Sequence, residues 1–141
     1  MTELDVRRES WPIRGTFAIS RGSRTATEVV VAALRRDGHT GRGECVPYPR
    51  YGETVEGVMA DIESLRVRLA GGLDREGLQT ALPAGAARNA LDCAFWDLEA
   101  KRAGKRAFEL AGLPAPKPLV TAYTLSLDAP EAMGRAAAEN A

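Results

Sequence analysis

The chain has 141 residues, 45% hydrophobic and 27% charged, which suits an ordinary globular domain with its own core and excludes a disordered chain. Lys plus Arg, mostly Arg, balance Asp plus Glu at 19 each, so no long-range field draws the chain to nucleic acid. No apolar run approaches the ~20 residues that a helical bilayer crossing needs.

The first half reads as strands. L-D-V-R-R-E-S-W (4–11) alternates loosely, and P-I-R-G-T-F-A-I-S (12–20) runs on to a glycine-bearing turn at R-G-S-R (21–24). T-E-V-V-V-A-A-L-R-R (27–36) is β-branched and apolar, D-G (37–38) is a hairpin turn pair, and G-R-G-E-C-V (41–46) makes a short return strand. The expectation is an antiparallel meander of about three strands, ended by the loop P-Y-P-R-Y-G-E (47–53).

The second half reads as helices. Thr54 suits an N-cap, and Val58, Ile62, Leu65 and Leu69 recur at helical spacing until Gly71 and Gly72 stop the helix. D-R-E-G-L-Q-T-A-L (74–82) is a short helix closed near Pro83. The longest helix runs from about 84 to 102, with Leu91, Phe95 and Leu98 on one side beside Ala87 and Ala94, and Gly104 ends it. R-A-F-E-L-A-G-L (106–113) is one more short helix, and P-A-P-K-P (114–118) is a stiff connector. Beyond it L-V-T-A-Y-T-L-S-L (119–127) predicts a strand, and 128–141 a helix with Asp128 as N-cap and Pro130 in its first turn. One strand and one helix cannot bury their own faces, so this unit is expected to be the start of something longer.

Few residues of the chain suit chemistry. His39, the single histidine, lies in a turn, and an exposed position is expected. Cys45 and Cys93 form no CxxC pair and read as small core residues. The charged opening M-T-E-L-D-V is not a signal core, so a reduced, cytoplasmic protein is expected. Asp92 and Asp97 lie five apart on the long helix and cannot form a close pair; ion pairs with Arg88 and Lys101, each four residues away, are expected instead. Glu44 and Cys45 precede the 47–53 loop and brace it, and Glu53 and Glu56 suit the N-terminus of the helix that Thr54 opens.

The helix A-A-R-N-A-L-D-C-A-F-W-D-L-E-A-K-R-A-G-K (86–105), followed by F-E-L-A-G (108–112), resembles the N-terminal part of the enolase superfamily, in its mandelate racemase and muconate lactonizing branch. Phe95, Arg106, Ala107 and Ala111 depart from the usual residues there. W-P-I (11–13), I-S-R-G-S-R (19–24), G-E-C-V-P-Y-P-R-Y-G-E (43–53), L-P-A-G-A-A-R-N-A-L-D-C-A (82–94) and T-A-Y-T (121–124) add a finer resemblance to the dipeptide epimerases that interconvert L-Ala-D-Glu and L-Ala-L-Glu. The resemblance implies an α+β capping domain at 1–115 and, at 116–141, the first β/α unit of a modified (β/α)8 barrel, of which only this beginning is present.

The activity implied is a 1,1-proton transfer beside a carboxylate, through an enediolate that a bound Mg2+ stabilises, in the turnover of cell-wall peptides. Two lysines would act as bases, one in a K-x-K motif of the second barrel strand, with three carboxylates holding the metal; all would lie in later sequence. K-R-A-G-K (101–105) and Lys117 lack that spacing, so no catalytic residue and no metal ligand is expected in these 141 residues, and the chain alone is expected to be inactive. Homo-oligomers are common among such enzymes and one is expected here.

What the resemblance assigns to the chain is specificity, through two loops that close over the barrel mouth: 20–24 and 47–52. Arg24 is expected to approach a carboxylate of the substrate's glutamyl end, which suits a guanidinium fork. Phe17, Ile19, Tyr48 and Tyr51 are candidate pocket walls, and Thr124, near the end of the first barrel strand, a candidate hydrogen-bonding group. Muconate cycloisomerase or o-succinylbenzoate synthase activity stays open, as does a stand-alone binding or assembly module.

Overall fold

The computed structural model describes residues 1–20 and 22–140. Strands β1 (Glu3–Ile19), β2 (Gly22–Arg36) and β3 (His39–Cys45) form one antiparallel sheet in that order. The two stretches read separately from the sequence, 4–11 and 12–20, are a single strand through Pro12. An edge strand tolerates a residue that cannot donate to the ladder, and β1 is at the edge. Between β2 and β3 the register pairs Val30 with Cys45 and Arg36 with His39. The turn residues Asp37 and Gly38 both have left-handed φ, 51° and 78°, as the tight D-G hairpin requires.

Helices follow: α1 (Val55–Ser64), α2 (Arg66–Ala70), α3 (Arg75–Ala81), α4 (Ala86–Ala103), α5 (Ala107–Leu110) and α6 (Pro130–Glu139). Thr54 caps α1 by accepting from the Gly57 amide at 3.0 Å, and Asp74 caps α3 by accepting from Gly77 at 2.8 Å. The single helix expected over 54–69 is broken at Leu65, whose amide donates to Ile62 O in a tightened last turn. The Ser64 hydroxyl donates back to Asp61 O at 2.7 Å, a local alternative to the helix ladder. The apolar face survives the break, because Val58, Ile62, Leu65 and Leu69 all remain buried.

The chain forms two compact units, one of Met1–Glu9 with Glu28–Pro116, the other of Ser10–Thr27 with Lys117–Ala141. The core lies in the first. There Val30, Ala32 and Leu34 of β2 pack with Val58, Ile62, Leu69 and Leu78 of the helices and with Leu91, Phe95 and Leu98 of α4. α4 lies directly against β3, and the sequence G-R-G makes this possible. A Cβ on Gly41 would stand 2.1 Å from Ala94 O, and one on Gly43 1.9 Å from Ala90 O. Glycine on the strand and alanine on the helix let two backbones meet, so A-R-N-A-L-D-C-A is a packing seam.

In the second unit the outcome departs from the sequence expectation. Residues 119–127 are not part of a strand. A strand exists only through its ladder; among the described residues one bond of that kind forms, from Leu127 N–H to Ala18 O at 2.9 Å. Helix α6 does form, with Ala129 rather than Asp128 as N-cap, since Pro130 holds the preceding residue extended and takes the first helical position itself.

Candidate functional site

The loop candidates fall into two groups, one in each unit. In the second unit, Phe17 is half-buried on β1, and the Arg24 guanidinium lies over its ring, 5.8 Å from the centroid. That is cation–π range, so the ring steadies the arginine while its N–H fork stays exposed. Ile19, next along the same strand, is 39% exposed. Arg21, part of the expected loop, lies outside the described residues. The Ser126 hydroxyl accepts from Ala18 N–H at 2.9 Å and donates to Thr16 O at 3.1 Å, fastening the strand on both sides of Phe17. Thr124, two residues earlier, is exposed. Phe17 and Arg24 are thus brought together, while Ile19 and Thr124 stand apart from that contact.

In the first unit, the loop after β3 forms a short 3-10 turn at Pro49–Tyr51 and turns out at Gly52. Tyr48 and Tyr51 pack tilted at 52° with centroids 5.6 Å apart, and both are exposed. They line a cleft of about 270 Å³ with Val46, Glu53, Ala86 and Asn89. Glu53, expected to serve the N-terminus of α1, instead accepts from Tyr48 N–H at 2.9 Å and from Ala86 N–H at 2.7 Å. Sequence reasoning missed this bridge because it joins the loop to a helix that starts 33 residues on.

Several other polar residues are engaged in bonds between elements. Asp97 pairs with Lys101 at 2.6 Å as expected and also accepts from the Arg42 amide at 2.8 Å. Asp92 accepts from Gln79 at 2.9 Å instead, and Arg88 donates to the carbonyls of Gln79 and Leu82. Cys45 is buried, and burial, reinforced by the charge of Glu53, pushes its thiol up to about 11. Cys93 is exposed, which corrects its expected place in the core; its thiol too is pushed up, by partial burial and then by Asp92. A cleft of about 590 Å³ near exposed His39 is bordered by ion pairs already made, Arg75 with Glu99 at 3.2 Å and Arg102 with Asp37 at 2.7 Å, and Arg75 also covers Trp96 at 3.9 Å.

Among the described residues, no group of three or more His, Cys, Asp or Glu could hold a metal ion. The described residues therefore do not fit a Mg2+ site. Among the described residues, no helix is long and apolar enough to cross a membrane.

Residues 1–112 match the model of the N-terminal domain of mandelate racemase / muconate lactonizing enzyme. The chain belongs to that family. The sheet followed by helices is the enolase-type capping domain. The chain is 48% identical over 137 residues to an L-Ala-D/L-Glu epimerase of Escherichia coli K12, a match covering 97% of this chain and 43% of that protein. It superposes with a TM-score of 0.91 and 54% identity on an enolase family member from Agrobacterium tumefaciens with homology to dipeptide epimerases, solved with bound sodium and L-Ala-L-Glu with an ordered loop. That match covers 99% of this chain and 43% of the other. A dipeptide epimerase from Enterococcus faecalis V583, complexed with Mg and L-Leu-L-Tyr, aligns with a TM-score of 0.83 and 26% identity, over 97% of this chain and 41% of that one. The chain thus spans less than half the length of the relatives it matches.

Proposed function

We propose that the chain is the capping portion of an L-Ala-D/L-Glu dipeptide epimerase, with 1–115 as the cap and 116–141 as the first unit of a (β/α)8 barrel. The full enzyme would invert the carbon beside the glutamyl carboxylate by a 1,1-proton transfer. Its two lysine bases and its divalent-metal site would belong to sequence outside these 141 residues. The observation that carries this reading is the 54% identity, at a TM-score of 0.91, to a protein solved with L-Ala-L-Glu.

In this proposal Arg24 meets a carboxylate of the substrate's glutamyl end, its guanidinium steadied by Phe17. Ile19, Tyr48 and Tyr51 contribute apolar wall, and Thr124 a hydroxyl. The physiological substrates would be cell-wall peptide fragments, handled in the cytoplasm by a homo-oligomeric enzyme that needs neither nucleic acid nor membrane.

The test is deuterium incorporation at the glutamyl α-carbon of L-Ala-L-Glu and L-Ala-D-Glu in D2O. The full-length enzyme with Mg2+ should label both dipeptides and equilibrate them; the 141-residue chain alone should label neither. Full-length enzyme that leaves both unlabelled but turns over muconate or a succinylbenzoate precursor would overturn the dipeptide reading. Labelling by the 141-residue chain alone would overturn the assignment of bases and metal to other sequence.

A further inference from the structure

Helix α4 begins without help from its own residues. Its N-cap is Gly85, which has no side chain to accept a hydrogen bond, and its first turn holds no acidic residue. Eighteen residues of aligned peptide dipoles nevertheless leave partial positive charge and free N–H groups at that end. The carboxylate that answers them comes from elsewhere: Glu53 Oε1 accepts from Ala86 N–H at 2.7 Å. Its other oxygen, Oε2, accepts from Tyr48 N–H at 2.9 Å. Gly85 leaves just enough room, since a Cβ there would stand 3.1 Å from Glu53 Oε1.

One side chain thus ties the Tyr48–Tyr51 turn to the end of the helix that packs on the sheet. Both bonds are charge-assisted and run to backbone N–H groups, so they fix the loop's main chain whatever side chains it carries. Asn89, one turn into α4, adds a longer bond to Glu44 O at 3.4 Å, just before the loop. Tyr48 and Tyr51 are 41% and 77% exposed, and their ring packing and the Tyr51 N–H to Tyr48 O bond at 2.9 Å lie within the turn itself.

We propose that Glu53 is a positioning residue: its carboxylate sets the Tyr48–Tyr51 loop on the N-terminus of α4, and through that loop it tunes substrate selection. The second half rests on the proposed role of the loop in the dipeptide epimerase. Glu53 itself touches backbone and not substrate.

Glu53→Gln keeps the shape of the side chain but leaves one of the two N–H groups facing an amide NH2 instead of an oxygen. In the full-length enzyme, amide hydrogen exchange at Tyr48 or Ala86 should rise about tenfold, the factor that loss of one bond to a charged group implies. The KM for L-Ala-L-Glu should rise about threefold or more while kcat changes by less than about twofold, as expected when binding and not chemistry is altered. Glu56→Gln, a nearby carboxylate without these bonds, should change neither. Unaltered exchange in Glu53→Gln would overturn the tether. Faster exchange with unaltered KM and kcat would keep the tether but overturn its link to selection, and with it the reading of the loop. If Glu53→Gln does not fold, Gly85→Ala, which crowds the same oxygen, should give the same pattern at smaller amplitude, and its failure to do so would overturn the proposal.

Discussion

The two units of the chain are built on different principles. Every buried hydrophobic residue among those described belongs to 1–9 or 28–116, from Leu4 through Val29–Leu34 to Ala100. In 10–27 and 117–140 no described residue is buried; order there comes from the pairing of β1 with β2, the Ser126 hydroxyl, the Leu127–Ala18 bond and the Arg24–Phe17 contact. Tyr48 and Tyr51 are presented from a cored body through a carboxylate tether, whereas Arg24, Phe17, Ile19 and Thr124 sit where local bonds do the holding. Hydrophobic burial gives most of a domain's stability, so damage to the two units should be felt very differently.

The largest contrast should come from glycine. Gly43→Ala places a Cβ 1.9 Å from the Ala90 carbonyl, a backbone atom that cannot swing aside. It should cost about 3 kcal/mol or more, read as a drop in the urea midpoint. Gly134→Ala in α6 meets nothing within 4 Å and should instead help its helix by up to about 1 kcal/mol. Equal effects at the two positions would break the comparison. Next, Leu91→Ala, at a fully buried position, should cost about 3 kcal/mol, while Leu119→Ala, 88% exposed, should stay within about 0.5 kcal/mol in this chain.

A smaller and pH-dependent effect belongs to Cys45. Its folded thiol ionises near 11, against 9.0 for an unburied thiol, so its contribution is complete below about pH 9. It is lost as pH rises through 11, amounting to about 2 kcal/mol at the upper end. Cys45→Ala should therefore lose less stability between pH 9 and 11 than the wild type does, in parallel urea titrations. Thr54→Ala should cost about 1 kcal/mol, from the lost cap on α1, read in the same titrations.

Much of the cored unit was legible in the sequence because its signals are local. The D-G turn, the run V-V-V-A-A-L, the Thr54 cap and the Leu91–Phe95–Leu98 stripe each announce an element within a few residues. What escaped was long-range. The G-R-G seam against Ala90 and Ala94, the Asp92–Gln79 bond in place of an Arg88 pair, and the Glu53 bridge all depend on which elements meet in space. The strand expected at 119–127 failed for a related reason, since alternation can mark a strand but only a neighbour can make one. Of the candidate site, the residues were proposed through family resemblance, whereas the Arg24–Phe17 and Tyr48–Tyr51 contacts are properties of the fold.

The most direct measurement is the intact mass of the protein isolated from its native source. The account predicts about 35–40 kDa, as a cap joined to a barrel of ~250 residues implies. That result would show that the chain continues into sequence long enough to form the barrel. A mass near the 15.1 kDa of these 141 residues would contradict it, leaving an epimerase cap with no barrel to serve.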